Sequence, residues 1–157
     1  MISEGQQAPG FILPDQDGND INVFDFRGKW LILYFYPKDM TPGCTTEACN
    51  FQESLPELHN NQATVIGISK DPVARHRKFA DKYDLQFTLV SDEKGQTCKD
   101  YGAWQKKKLY GREFMGIVRS TFIIDPDGIV RKVWRKVKVK NHHSEVLEAL
   151  KQLKGDE

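Results

Sequence analysis

Trp30-Leu31-Ile32-Leu33-Tyr34-Phe35-Tyr36 is an unbroken apolar run, and Pro37-Lys38-Asp39-Met40-Thr41-Pro42-Gly43-Cys44 follows it directly. A short run without polar alternation, rich in aromatic residues and stopped by proline, predicts a strand covered on both faces inside an α/β sheet. A second buried strand is expected at Thr64-Val65-Ile66-Gly67-Ile68-Ser69 and a short one at Thr88-Leu89-Val90, each leading into a helical stretch. Strands alternating with helices predict βαβ units. Val73, Arg77, Phe79, Ala80 and Tyr83 fall near a 3.6-residue period, with Asp71 expected as N-cap and Pro72 at the first helical position.

Further along, Ser120-Thr121-Phe122-Ile123-Ile124 and Ile129-Val130-Arg131-Lys132-Val133-Trp134 flank Asp125-Pro126-Asp127-Gly128. Proline presets φ and glycine accepts positive φ, so this segment predicts a β-hairpin. Val146, Leu147, Leu150 and Leu153 mark a closing helix, whereas Ala103 to Val118, carrying Trp104, Tyr110 and Phe114, has the least pattern and is expected as a long loop. The order fits an α/β, thioredoxin-like fold: a central mixed sheet with helices on both faces and an N-terminal extended or hairpin addition.

The chain has 157 residues, 39% hydrophobic and 29% charged, with 23 Lys+Arg against 22 Asp+Glu. That length and balance predict a single globular domain over 1–157 and argue against disorder. A net charge of +1 argues against nucleic acid or a membrane surface as the main partner. The seven-residue run from Trp30 falls far short of the roughly 20 apolar residues a spanning helix needs, and the N-terminus shows no signal-peptide pattern. Three cysteines are too few and too odd a number for a secreted disulfide framework. A cytoplasmic, reducing location and reactive thiols are expected.

Ligand sites in open α/β sheets lie beyond the carboxyl ends of strands, which directs attention to the segment after Tyr36. From Cys44 onward the residues suit a helix with Phe51, Leu55 and Leu58 inward, so Cys44 falls in a first turn. Unsatisfied N–H groups and the positive end of the helix dipole favour an anion there, and hence the thiolate. Thr41, three residues earlier, offers a hydroxyl to donate to sulfur or to an incoming oxygen, while Pro37 and Pro42 stiffen and shield the loop. The competing reading is a packed, inert cysteine.

Pro37-x-x-x-Thr41-x-x-Cys44 resembles the peroxidatic motif of the peroxiredoxins, and Tyr34-Phe35-Tyr36-Pro37-Lys38-Asp39 with Thr41-Pro42-Gly43-Cys44-Thr45-Thr46-Glu47 resembles their bacterioferritin comigratory protein, or Q-type, branch. The similarity extends to Gly5-x-x-Ala8-Pro9-x-Phe11-x-Leu13, Arg119-x-Thr121-Phe122-Ile123-Ile124-Asp125 and Asn141-His142-His143, nearly the whole chain. The resemblance implies a thiol-dependent peroxidase for hydrogen peroxide and alkyl hydroperoxides, without cofactor or metal, monomeric, and recycled by thioredoxin. Cys44 would attack the peroxide and become a sulfenic acid. Thr41 would position the substrate, Pro37 screen it, and Arg119 stabilise the thiolate and the developing charge. Glu47 either joins this network or is a solvated first-turn carboxylate.

Cys49 matches the position of a same-helix resolving cysteine in that branch. Five helical steps separate Cα atoms by roughly 8.7 Å, beyond the approximately 7 Å a disulfide tolerates. Pairing therefore requires the Cys44 to Cys49 turns to unwind. Cys98, in the expected helix Gln96 to Tyr101, reads as a packing residue, with resolution of the sulfenic acid as its rival role. The histidines make no metal spacing with the cysteines. The basic residues Arg131, Lys132, Arg135, Lys136, Lys138 and Lys140, with Lys106-Lys107-Lys108, read as a solvated face that also suits an acidic reductant. No motif of overoxidation-sensitive relatives is seen, so resistance to overoxidation is expected. Turnover separates this enzyme from a thioredoxin-fold binding module in which Cys44 acts as a sensor.

Overall fold

The computed structural model of the chain describes residues 1–155. The expected apolar run forms strand β3 (Trp30–Phe35), the centre of a five-stranded mixed sheet. Two short strands precede it, β1 (Ile12–Pro14) and β2 (Asp20–Asn22), which pair antiparallel as the N-terminal hairpin. Helix α1 (Pro42–Asn60), strand β4 (Ala63–Ser69), helix α2 (Val73–Tyr83) and strand β5 (Thr88–Ser91) follow. Then come α3 (Gln96–Asp100), β6 (Trp104–Leu109), β7 (Arg112–Ile117), β8 (Ser120–Ile124), β9 (Val130–Arg135) and α4 (His142–Gly155).

The sheet order is β5-β4-β3-β8-β9. β3 and β4 run parallel with Trp30 opposite Ala63 and Phe35 opposite Ile68, and β4 and β5 are also parallel. β8 lies antiparallel to β3, with Leu31 opposite Ile124 and Phe35 opposite Ser120, and β9 antiparallel to β8. Side chains alternate across a strand, and both faces of β3 are covered. Trp30, Ile32, Tyr34 and Tyr36 pack with Phe51 and Leu55 of α1, Phe79 of α2 and Leu150 of α4. Leu31, Leu33 and Phe35 meet Cys98 of α3, Tyr101 and the N-terminal Ala8 and Phe11. Every β3 residue is at most 3% exposed, and burying each such side chain contributes about 1.5–3 kcal/mol. Gly67 of β4 is part of this fit: a Cβ there would come within 2.9 Å of the Tyr34 ring, and that ring stacks against Phe51 at 4.8 Å.

Two local expectations are corrected. Pro72, not Asp71, is the N-cap of α2, and the helix opens at Val73. The Asp71 carboxylate makes no cap bond to the helix backbone: Oδ2 accepts from the Asp39 backbone N–H and the Ser69 hydroxyl, and Oδ1 faces the Arg75 side chain at 3.2 Å. The stretch from Ala103 to Val118 is not a loop but a two-stranded ribbon, β6 paired to β7 from Trp104–Ile117 to Leu109–Arg112. Tyr110 and Gly111 join the strands with φ of 52° and 77°, the positive values that tight hairpin turns demand. The ribbon forms its own sheet, with most residues at least partly exposed. No buried face imposes apolar alternation, so no strand pattern shows. By contrast, the 125–128 turn forms as expected, with Gly128 at φ 84°.

Candidate active site

β3 ends at the sheet's centre, and the chain leaves it through Pro37 to Thr41. Thr41 is the N-cap of α1 and Pro42 occupies its first turn, which puts Cys44 at the third helical position. Proline suits that turn because its missing N–H would have had no intrahelical partner. The Cys44 side chain points to the sheet and is 2% exposed. Its sulfur receives a hydrogen bond from Arg119 Nη2 at 3.3 Å. Arg119, between β7 and β8, reaches over the first turn of α1; a Cβ on Gly43 would stand 3.4 Å from Nη2.

The other arm of the guanidinium donates from Nη1 to Glu47 Oε1 at 2.6 Å. Glu47 is 2% exposed, so its side chain belongs to this network and is not a solvated first-turn carboxylate. Its Oε2 is buried without a hydrogen-bond partner. Burial pushes the carboxyl from its ordinary 4.5 up to about 7, against the pull of Arg119. One planar guanidinium with two parallel arms thus serves two buried acidic groups, a task for which its fork geometry suits arginine and not lysine.

This raised value fixes the sign of a pH effect. A carboxyl that binds its proton more tightly in the folded chain stabilises the fold fully below about 4.5, and the contribution disappears as pH rises through about 7. The expected result is that Glu47→Gln flattens the fall in unfolding free energy of the reduced protein between pH 5 and pH 8 by about 2 kcal/mol. Urea unfolding at the two pH values measures it; parallel curves for the variant and the parent would falsify the assignment.

Thr41 is placed beside the thiol's turn, but its hydroxyl hydrogen is directed to the Lys38 carbonyl at 2.8 Å and makes no cap bond. The expected donor is thus already committed, and only the lone pairs of its oxygen stay open. Pro37 lines a cavity of about 460 Å³ together with Lys106, Lys107, Lys108, Arg119 and Lys136. Two basic stretches far apart in sequence converge at the mouth of the site. Burial and the neighbouring Arg119 charge press the Lys107 ammonium down. Behind the site, burial holds His142 down to about 4; this neutral ring meets the Thr121 hydroxyl at 2.8 Å and stands edge-on to Phe51.

All three thiols are free. Cys49 lies within the continuous helix α1 and is half-buried, and burial with the Glu53 carboxylate pushes its thiol up. Cys98 is fully buried in the cluster on the opposite face of the sheet from Cys44. Burial and a hydrogen bond with Asp92 raise its thiol far above the usual range. The fold also gathers Asp39, Asp71, expected only as an N-cap, and His76, with ligand-capable atoms within 4.8 Å of one another. In the sequence only Asp39 marks this grouping, through its place between Pro37 and Cys44.

Residues 4–133 match the family model described as the AhpC/TSA family. The chain is 46% identical over 152 residues to Peroxiredoxin Bcp of Bacillus subtilis, covering 97% of each. Its fold superposes with a TM-score of 0.87 on Xanthomonas campestris bacterioferritin comigratory protein, studied for alkyl peroxide reduction activity, at 42% identity over 90% of each chain. A mutant of Xylella fastidiosa PrxQ gives a TM-score of 0.92 at 37% identity over 97% of each chain. A thioredoxin-like sheet, a cysteine at the head of α1 held by an arginine, and matches that run nearly end to end agree: the chain belongs to the AhpC/TSA family, among its peroxiredoxins.

Proposed function

We propose that this protein is a thiol peroxidase for hydrogen peroxide and alkyl hydroperoxides, with Cys44 as nucleophile, Cys49 as resolving thiol and a thioredoxin-type dithiol as reductant. The observation that carries the reading is the Cys44–Arg119–Glu47 triad, a buried sulfur at a helix N-terminus beneath a preorganised guanidinium. The Cys44 thiolate attacks the terminal peroxide oxygen; the S–O bond forms as the O–O bond breaks. Arg119 donates to the oxygens as charge moves onto the leaving one, which takes a proton and departs as water or alcohol. Thr41 accepts from the peroxide O–H, and Pro37 walls the approach from solvent.

The resulting sulfenic acid is then attacked by Cys49. An S–S bond forms, hydroxide leaves and is protonated to water, and dithiol exchange returns both cysteines to thiols. Because α1 is continuous through both residues, the Cys44 to Cys49 turns must unwind first. Unwinding also releases Cys49 from the burial and the Glu53 charge that keep its thiol protonated. Both electrons come from thiols, so the cycle calls for no cofactor. The basic rim of Lys106, Lys107, Lys108 and Lys136 beside Arg119 suits an acidic reductant.

We further propose that the chain acts as one domain, as a monomer, in a reducing compartment such as the cytoplasm. No helix among the described residues is long and apolar enough to cross a membrane. Purified protein with thioredoxin, thioredoxin reductase and NADPH is expected to oxidise NADPH in proportion to added hydrogen peroxide or alkyl hydroperoxide, more slowly as salt screens the rim. Absence of peroxide-dependent turnover with every peroxide tried overturns the enzyme reading in favour of a binding module. A rate indifferent to salt removes the acidic-partner element alone.

A further inference from the structure

The loop carrying Pro37 and Thr41 is fastened to the body of the protein through Asp39, whose side chain is fully buried. Asp39 Oδ1 accepts the Tyr36 hydroxyl at 2.5 Å, and Oδ2 faces His76 Nδ1 at 2.6 Å. Its backbone N–H donates to Asp71 Oδ2 at 2.9 Å, and its carbonyl accepts from Arg75 Nη2 at 3.3 Å. His76, on α2, is equally buried, and its Nε2 stands 3.0 Å from the Val90 carbonyl of β5. A carbonyl only accepts, so Nε2 carries a hydrogen; one further proton is then shared between Nδ1 and the Asp39 carboxylate. Such a charge-assisted bond is strong where water is excluded.

These groups also have the chemistry of a cation site, but their lone pairs are already engaged. Asp71 accepts from Ser69 and Asp39, and stands 3.2 Å from Arg75 Nε. A latch explains them better than a ligand set. The residue that follows supplies the reason for one: Met40 has φ 70°, a left-handed conformation that a side-chain-bearing residue adopts at a cost. Strain of this kind persists only where the surroundings over-determine it. Immediately after Met40 comes Thr41 at the N-cap, with Cys44 in the turn beyond.

We propose that His76 is a positioning residue for the peroxide reaction: its bond to Asp39 locks the strained Met40 turn and so holds Thr41 and Cys44 in the reactive helical arrangement. Loss of the bond moves the equilibrium toward the unwound form in which Cys44 reaches Cys49. His76 never touches substrate. The inference rests on the peroxidase reading for its chemistry, but the loop's stability is measurable without it.

Two substitutions separate the bond from simple packing. His76→Gln brings an amide to the ring's Nε2 position, keeping a donor for Val90 and leaving Asp39 Oδ2 bare. His76→Asn brings an amide to the Nδ1 position and restores the donor to Asp39. In single-turnover quenching followed by intact mass, His76→Gln is expected to slow Cys44 oxidation about tenfold and to speed conversion of sulfenic acid to disulfide several-fold. His76→Asn returns both rates toward the parent. Tyr36→Phe, which removes only the hydroxyl on Oδ1, moves both rates in the Gln direction by smaller factors, and serves if His76→Gln does not fold. Amide hydrogen exchange over residues 42–49 of the reduced protein reads the same shift without peroxide, faster in the Gln variant and parental in the Asn variant. Parental exchange in the Gln variant, slowing of both chemical steps together, or an Asn variant no better than Gln overturns the latch. Failure of the unaltered protein to react with peroxide overturns the functional reading alone.

Discussion

Cys44→Ser abolishes peroxide-dependent turnover, and Cys49→Ser preserves a single round of it; this contrast is the expected signature of the two roles. Serine keeps the size of the side chain and a hydrogen-bond acceptor for Arg119, so the fold around α1 is retained. Its hydroxyl is not ionised near neutral pH and does not attack the O–O bond, so peroxide consumption falls by more than about a thousandfold. In Cys49→Ser the attacking sulfur and its guanidinium are intact, so one equivalent of peroxide is consumed at close to the parental rate. The product stops at the sulfenic acid, seen as the addition of one oxygen to the intact mass, and excess peroxide carries it further up the oxidation ladder. Cys98 offers no substitute, because the sheet stands between it and Cys44. A Cys49→Ser protein that still forms an intramolecular disulfide would reassign the resolving thiol.

The two cysteines differ in how much of their setting could be read from the chain. Strand β3 was legible because burial on both faces erases polar alternation, leaving a run that only a central strand explains. The head of α1 was legible because Pro42 and Gly43 mark a helix start, which places Cys44 among the unpaired N–H groups of a first turn. Arg119 was not legible from physical pattern at all: it lies 75 positions from Cys44 and 72 from Glu47, and only resemblance to a family singled it out. The β6–β7 ribbon stayed hidden for the opposite reason to β3, since strands exposed on both sides carry no periodic burial. The direction of the Thr41 hydroxyl and the pairing of Asp39 with His76 across 37 positions depend on where side chains converge after folding. Spacing along the chain does not encode that.

Arg119→Gln is expected to slow oxidation of Cys44 by about a hundredfold to a thousandfold, the usual cost of removing a preorganised donor from a developing negative charge. Glutamine has a single amide with two hydrogens and no charge, so it cannot hold Cys44 and Glu47 as the guanidinium does at 3.3 and 2.6 Å. Arg119→Lys retains the charge but presents one compact ammonium, which satisfies one partner at the expense of the other; an intermediate loss of about tenfold to a hundredfold is expected. The same substitutions act on Glu47. Arg119 lowers a carboxyl that burial has pushed up to about 7, so removing the arginine raises it further and keeps Glu47 protonated through neutral pH. The pH at which the folded protein loses the Glu47 contribution therefore moves upward in Arg119→Gln, and Arg119→Gln combined with Glu47→Gln shows no such transition. A rate defect without that upward shift places Arg119 on the sulfur alone. A shift without a rate defect makes the arginine a structural counter-ion and transfers charge stabilisation to the helix N-terminus.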